Sequence, residues 1–166
     1  MKSSYQSRAL KTWELLVPYL KNCRTVERYE QAVEKFNEEH RNYNIQVKHG
    51  ATRVCFICAD YVIKKDYGNN QSEWGGCEDE LSRYQDAQWE GYDYLLCPIE
   101  KIARNVYVMP RAKTESHYWS DKYLSRFNRK LTQDEREYIY NNIYDIHSNN
   151  VGLYKGRVVV IDYACG

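Results

Sequence analysis

Tyr144-Asp145-Ile146-His147-Ser148-Asn149-Asn150 is followed, one hairpin later, by Val159-Val160-Ile161-Asp162-Tyr163-Ala164. Between them, 151–154 and 157–161 read as two strands, and Lys155-Gly156 reads as the tight turn that joins them. A hairpin folds its two ends together, so Asn150 and Asp162 are expected neighbours. Asp145 stands five positions before Asn150, at the mouth of a helix. Two carboxylates and one amide oxygen around one point are hard oxygen ligands. They suit Mg²⁺, which keeps several waters and leans on substrate phosphates.

Upstream of this stretch the pattern predicts an α+β chain. Leu10, Trp13, Leu16, Val17 and Leu20 follow helical spacing, with Pro18 shortening or kinking the segment. A second helix is predicted over 26–43, with Tyr29, Val33 and Phe36 as its apolar stripe and Glu27, Glu30, Glu34, Glu38 and Glu39 as its solvated face. Short β-rich runs follow at 45–47, 53–58 and 61–65. Then come a helix over 77–89, strands at 95–103 and 106–109, and helical pattern at 119–127. A last helix begins after Leu131, where Thr132-Gln133-Asp134-Glu135 has the form of a capping box.

An Asp-x-x-x-x-Asn loop before a hairpin that ends in a metal-binding Asp resembles the catalytic core of the protein-kinase-like superfamily. Asp145-Ile146-His147, with His after the Asp, is similar to the aminoglycoside-phosphotransferase and atypical-kinase form, and Asp162-Tyr163-Ala164 stands in the DFG position. The resemblance extends upstream, covering about 47–164 in the family's order. Val62-Ile63-Lys64 resembles the strand whose lysine holds the nucleotide's α- and β-phosphates. Lys65 competes with Lys64 for that role. Glu80 best matches the partner glutamate, with Glu73, Glu78 and Asp79 as rivals. Val106-Tyr107-Val108-Met109-Pro110 resembles the strand entering the hinge, where adenine meets backbone at Met109. Gly50-Ala51-Thr52-Arg53 takes the phosphate-loop position with a single glycine.

The resemblance implies a small antiparallel sheet with one flanking helix over 46–111, and a much reduced helical part carrying the Asp loop and hairpin over 112–166. Two N-terminal helices over 1–45 complete a single domain. It implies ATP and Mg²⁺ as cofactors. Asp145 would be the catalytic residue, Gly50, Lys64, Glu80 and Met109 would bind nucleotide, and Asn150 and Asp162 would hold metal. The nearest associations are the small kinase-like proteins of phages and phage-derived islands. The sequence ends four residues after Asp162, so an activation segment and a peptide-docking platform are not expected. That departure, with the lone glycine, keeps open a pseudokinase that contacts a protein partner with or without nucleotide.

Composition bounds the alternatives. The 166 residues are enough for one packed core, and 43% hydrophobic with 28% charged residues is the balance of an ordered globular chain. Lys plus Arg is 24 against 23 acidic residues, so no global charge argues for nucleic acid or anionic membrane, although a local patch stays open. No apolar run approaches a membrane span, and Met1-Lys2-Ser3-Ser4-Tyr5 opens no signal-peptide stretch. A soluble cytoplasmic protein is expected. Cys55 and Cys58 have zinc spacing, with Cys77 or Cys97 as a third ligand, but on a strand positions three apart face opposite sides. His147 is expected to brace its loop by hydrogen bonds, and Gly50 to serve a turn. The seventeen tyrosines name no function.

Overall fold

The computed structural model describes residues 4–67, 76–115, 121–143 and 146–162. Among these the fold is α+β. Five helices accompany a five-stranded antiparallel sheet and a separate two-stranded hairpin, consistent with the small-lobe architecture expected from the sequence. The chain divides into two compact units, one of 1–68 with 100–111, the other of 69–99 with 112–166.

In the first unit, α1 (Ser4–Leu16) ends in a 3-10 turn with Pro18 in its first turn, as the pattern required. Helix α2 (Val26–Glu39) is capped by Thr25, whose side chain accepts from Arg28 N–H. It ends four residues before the predicted limit. Asn37 explains the difference: its amide donates to the Ile45 carbonyl at 2.9 Å and accepts from Ile45 N–H at 3.0 Å. This side chain holds the outgoing chain beside the last turn and leads it into β1 instead of onward in the helix.

The sheet comprises β1 (Gln46–His49), β2 (Arg53–Ile57), β3 (Tyr61–Asp66), β4 (Glu100–Ala103) and β5 (Val106–Pro110), in the order β1-β2-β3-β5-β4. Alternation along each strand separates two faces. Val54, Phe56, Ile63, Val106 and Val108 join one core with Trp13, Leu16, Tyr29, Val33 and Phe36 of the two helices. Trp13 and Tyr29 each put a ring centroid 6.3 Å from that of Phe56. The helices therefore cover one face of the sheet, and the hydroxyls of Thr12 and Tyr61, buried at the same interface, satisfy each other at 2.6 Å.

In the second unit, α3 (Cys77–Glu90) stops at Gly91, whose φ of 81° only glycine adopts easily. The apolar run 95–103 is not one strand. Pro98, which has no N–H to donate, divides it. Leu95 closes a 3-10 turn, Leu96 bridges to Val160, and β4 begins only at Glu100. Helix α4 (Lys122–Lys130) is followed by α5 (Gln133–Asn142), where the capping box is complete: Thr132 accepts from Glu135 N–H, and Glu135 accepts from Thr132 N–H. The hairpin is β6 (Val151–Tyr154) and β7 (Arg157–Val160), turned by Lys155 and Gly156 at φ 48° and 77°. Two left-handed residues in succession are what a two-residue hairpin turn requires.

Candidate functional site

The hairpin brings together two of the expected oxygen ligands. Asn150 ends a 3-10 turn, Ser148–Asn150, that runs directly into β6. Its carbonyl accepts from Ile161 N–H at 2.8 Å, and Asp162 is the next residue. Amide and carboxylate thus leave neighbouring backbone positions at the open end of the hairpin. His147 braces this end: its Nδ1 accepts from Asn149 N–H at 3.2 Å and its carbonyl accepts from Asn150 N–H at 2.9 Å. An accepting Nδ1 is unprotonated, so a proton on the neutral ring sits on Nε2. Asp145, Tyr163 and Ala164 lie outside the described residues.

The hairpin is anchored from both sides. Lys113 and Leu153 exchange two hydrogen bonds of 2.8 Å, and Cys97 N–H donates to the Val160 carbonyl at 2.8 Å. Gly152 permits the first of these approaches, since a Cβ there would stand 2.9 Å from Ala112 Cβ.

Helix α3 opens with three consecutive acidic residues, and their environments differ sharply. Glu78 is exposed, Asp79 accepts from Arg83 Nε at 2.9 Å, and Glu80 is fully buried. A carboxylate taken out of water stays charged only with partners, and Glu80 makes further electrostatic or hydrogen-bonding interactions. Burial thus separates Glu80 from Glu78 and Asp79, while Glu73 lies outside the described residues. Arg83 also donates to the Asn142 carbonyl in the last turn of α5. A cation there meets the negative end of the helix and ties α3 to the exit that leads to Asp145. Sequence reading passed over Arg83; its signal was Asp79 four residues before it on one helix face.

In the first unit, Lys64 stands in β3 on the sheet face opposite the two helices. Register aligns Lys48, Cys55, Lys64, Tyr107 and Lys101 across the five strands. Lys48 and Lys101 are exposed, whereas Lys64 is buried and has partners. The competing Lys65 points to the helix-covered side, where burial lowers its pKa and its Nζ donates to the Asp66 carbonyl at 3.2 Å. Arg53 is also buried, two register pairs along from Cys55 and so on the face of Lys64. Met109 is buried in β5 opposite Val62. The β4 register ends at Val108, so among the described residues Met109 has a strand beside it only on the β3 side. Gly50 lies in the β1–β2 turn and donates its N–H to the Arg53 carbonyl at 2.9 Å. Its φ is not left-handed, and a Cβ would meet only ordinary contacts of 3.7 Å or more, so the turn itself makes no demand for glycine.

Asn150 with Asp162 is a donor set that fits Mg²⁺, which needs only one or two carboxylates when phosphates and water complete its shell. No group of three or more His, Cys, Asp or Glu gathers among the described residues. The cysteine spacing is divided by the strand. Cys55 stands opposite Lys64, while Cys58 belongs to the helix-covered core. Burial pushes the Cys58 thiol up to about 12.

No family model matches the chain, and no curated protein matches it. Among solved structures the chain is similar to one described as a streptomycin–ATP–APH(2″)-IIa ternary complex. The identity is 14% and the TM-score 0.37, over 81% of this chain and 71% of that one. No described helix is long and apolar enough to cross a membrane.

Proposed function

We propose that the chain is a kinase-like phosphotransferase that uses Mg-ATP and acts on a hydroxyl acceptor. One observation supports the reading: the Asn150 carbonyl accepts from the N–H of the residue before Asp162, so the amide and carboxylate side chains leave neighbouring backbone positions at a hairpin mouth. The burial of Lys64 and of Glu80 supports the reading, because each marks out one residue among its rivals.

In this reading Asn150 and Asp162 hold the metal that accompanies the nucleotide. Bound Mg²⁺ would supply charge neutralisation to the phosphates. Lys64 offers its ammonium to the α- and β-phosphates, and Glu80 orients that lysine. Gly50 lies along the phosphate loop, and the backbone at Met109 meets the adenine edge. Asp145 takes the proton of the acceptor hydroxyl as its oxygen bonds to the γ-phosphorus, and the nucleoside diphosphate leaves. Arg83 and His147 are positioning residues, one at each end of the segment that contains Asp145. The chemistry asks mainly for position and charge.

Calorimetric titration of ATP into the wild type and Asp162→Ala, with Mg²⁺ and with EDTA, tests the reading. Binding that needs Mg²⁺ and is lost in the variant is expected. An Asp145→Asn variant should bind as the wild type does and transfer no phosphoryl group. Absence of binding under every condition overturns the nucleotide reading and leaves a pseudokinase that acts through a protein partner.

A further inference from the structure

The turn end of the hairpin carries a second feature, which the phosphotransfer reading does not use. A cavity of about 510 Å³ lies there, within the second unit, and four of its lining residues are Arg126, Lys130, Lys155 and Arg157. Its floor is apolar, formed by Leu95, Phe127, Leu131 and Val158. The volume falls in the range of small-molecule sites, about 300–1,000 Å³.

The charge balance of this cavity is unlike that of the chain. The whole sequence has one more cation than anions, yet here four cations meet a single carboxylate, Glu135. That carboxylate is already engaged. One oxygen accepts from the Tyr94 hydroxyl at 2.6 Å and the other from Thr132 N–H at 2.7 Å. None of the four cations forms an ion pair within 4.0 Å among the described residues. Arg126 donates to the Gly156 carbonyl at 3.1 Å, which brings its guanidinium to the turn between Lys155 and Arg157. The Arg157 guanidinium lies 4.8 Å from the Tyr94 ring centroid. Stacking on an aromatic face fixes the guanidinium plane while leaving its edge donors available. Two oriented guanidiniums and two ammoniums, that of Lys155 5.3 Å from the Tyr154 ring centroid, beside apolar lining residues match an anion with a greasy body. Guanidinium geometry favours phosphate and carboxylate alike.

We infer that this cavity is a binding site for a small organic anion that bears at least two negative charges, phosphate or carboxylate, on an apolar body. The site lies at the opposite end of the hairpin from Asn150 and Asp162, and its use requires neither nucleotide nor metal.

Phenyl phosphate and phthalate, each doubly charged near neutral pH, are titrated separately into the full chain in EDTA without nucleotide, followed by amide chemical shifts. Saturable binding of at least one probe is expected, with shifts at the hairpin turn and α4, weakening as salt is raised. Which probe binds tells phosphate from carboxylate. Lys130→Glu with Lys155→Glu should weaken binding about tenfold or more, a change of about 1.4 kcal/mol. The milder Lys130→Gln should give a smaller loss with an unchanged thermal melt. Asp162→Ala should bind as the wild type does, which separates this site from the nucleotide reading. Failure of both probes to bind overturns the inference. So does equal binding by the charge-reversed variant, or equal binding of uncharged benzyl alcohol.

Discussion

On one face of the five-stranded sheet stand Val54, Phe56, Ile63, Val106 and Val108; on the other stand Arg53, Cys55, Lys64 and Tyr107. The same three central strands supply both sets, one residue out of step. The first face is packed against aromatic and aliphatic side chains of α1 and α2, and its worth is the apolar area removed from water. The second face buries two cations, which costs free energy unless partners or a ligand's charges offset it. One side of a strand is thus spent on stability and the other on charge placed where water is scarce.

Cutting a hole in the packed face should have the largest effect. Phe56 is fully buried, and Phe56→Ala should cost about 3–5 kcal/mol by chemical denaturation. Protein that remains folded should bind Mg-ATP with unchanged affinity. Lys64→Met, on the other face, should reverse the pattern. Its melting temperature should fall less than that of Phe56→Ala, while Mg-ATP affinity drops by at least tenfold, about 1.4 kcal/mol. A stability loss as large as that of Phe56→Ala, with affinity intact, would break the contrast and make the second face structural.

A variant on neither face gives the scale between them. Thr132→Ala removes the cap of α5 and should cost about 1 kcal/mol near neutral pH. The reciprocal half of this cap depends on pH. Hydrogen bonds from the Tyr94 hydroxyl and then from Thr132 N–H hold Glu135 below the usual carboxylate range. A depressed folded pKa stabilises above the unfolded value, so this contribution is present at neutral pH. It is lost as pH falls from about 4.3 through the folded value. Acid titration of wild type and Glu135→Gln should show their stabilities converging there.

The smallest expected signal is no signal. Cys58 on the packed side, with its thiol raised to about 12, should resist alkylation at pH 8 in native protein and react once unfolded. Native labelling of Cys58 at the rate of a small thiol would show that the packed side opens.

What the sequence made legible was mostly short-range. Lys155-Gly156, Thr132 with Glu135, and Pro18 are signals contained in a few residues, and each produced the expected turn, cap or stop. The neighbourhood of Asn150 and Asp162 was legible for the same reason, since a two-residue turn fixes the register of everything behind it. Longer-range facts were not. Only the family resemblance sets Glu80 above Glu78 and Asp79; its burial was not legible, because burial is decided by what packs on a helix and not by the helix. The end of α2 depends on Asn37 reaching Ile45, eight residues away. The cationic cavity was invisible because its charges come from two stretches about 25 residues apart, each ordinary alone, in a chain whose total charge nearly cancels.

The anchoring of the hairpin has one more consequence. An unpaired strand edge is a template on which another chain can add a strand. Here β6 is met by Lys113 and β7 by Leu96, so neither edge runs open for its whole length. The larger sheet ends in β1 and β4, each four residues long. Outward Gln46 and Lys48 mark the first, and a register irregularity between Lys101 and Ala103 breaks the second. Among the described residues these terminal edges are therefore short, charged, irregular or partly occupied. These edges are poor seeds for intermolecular β-pairing.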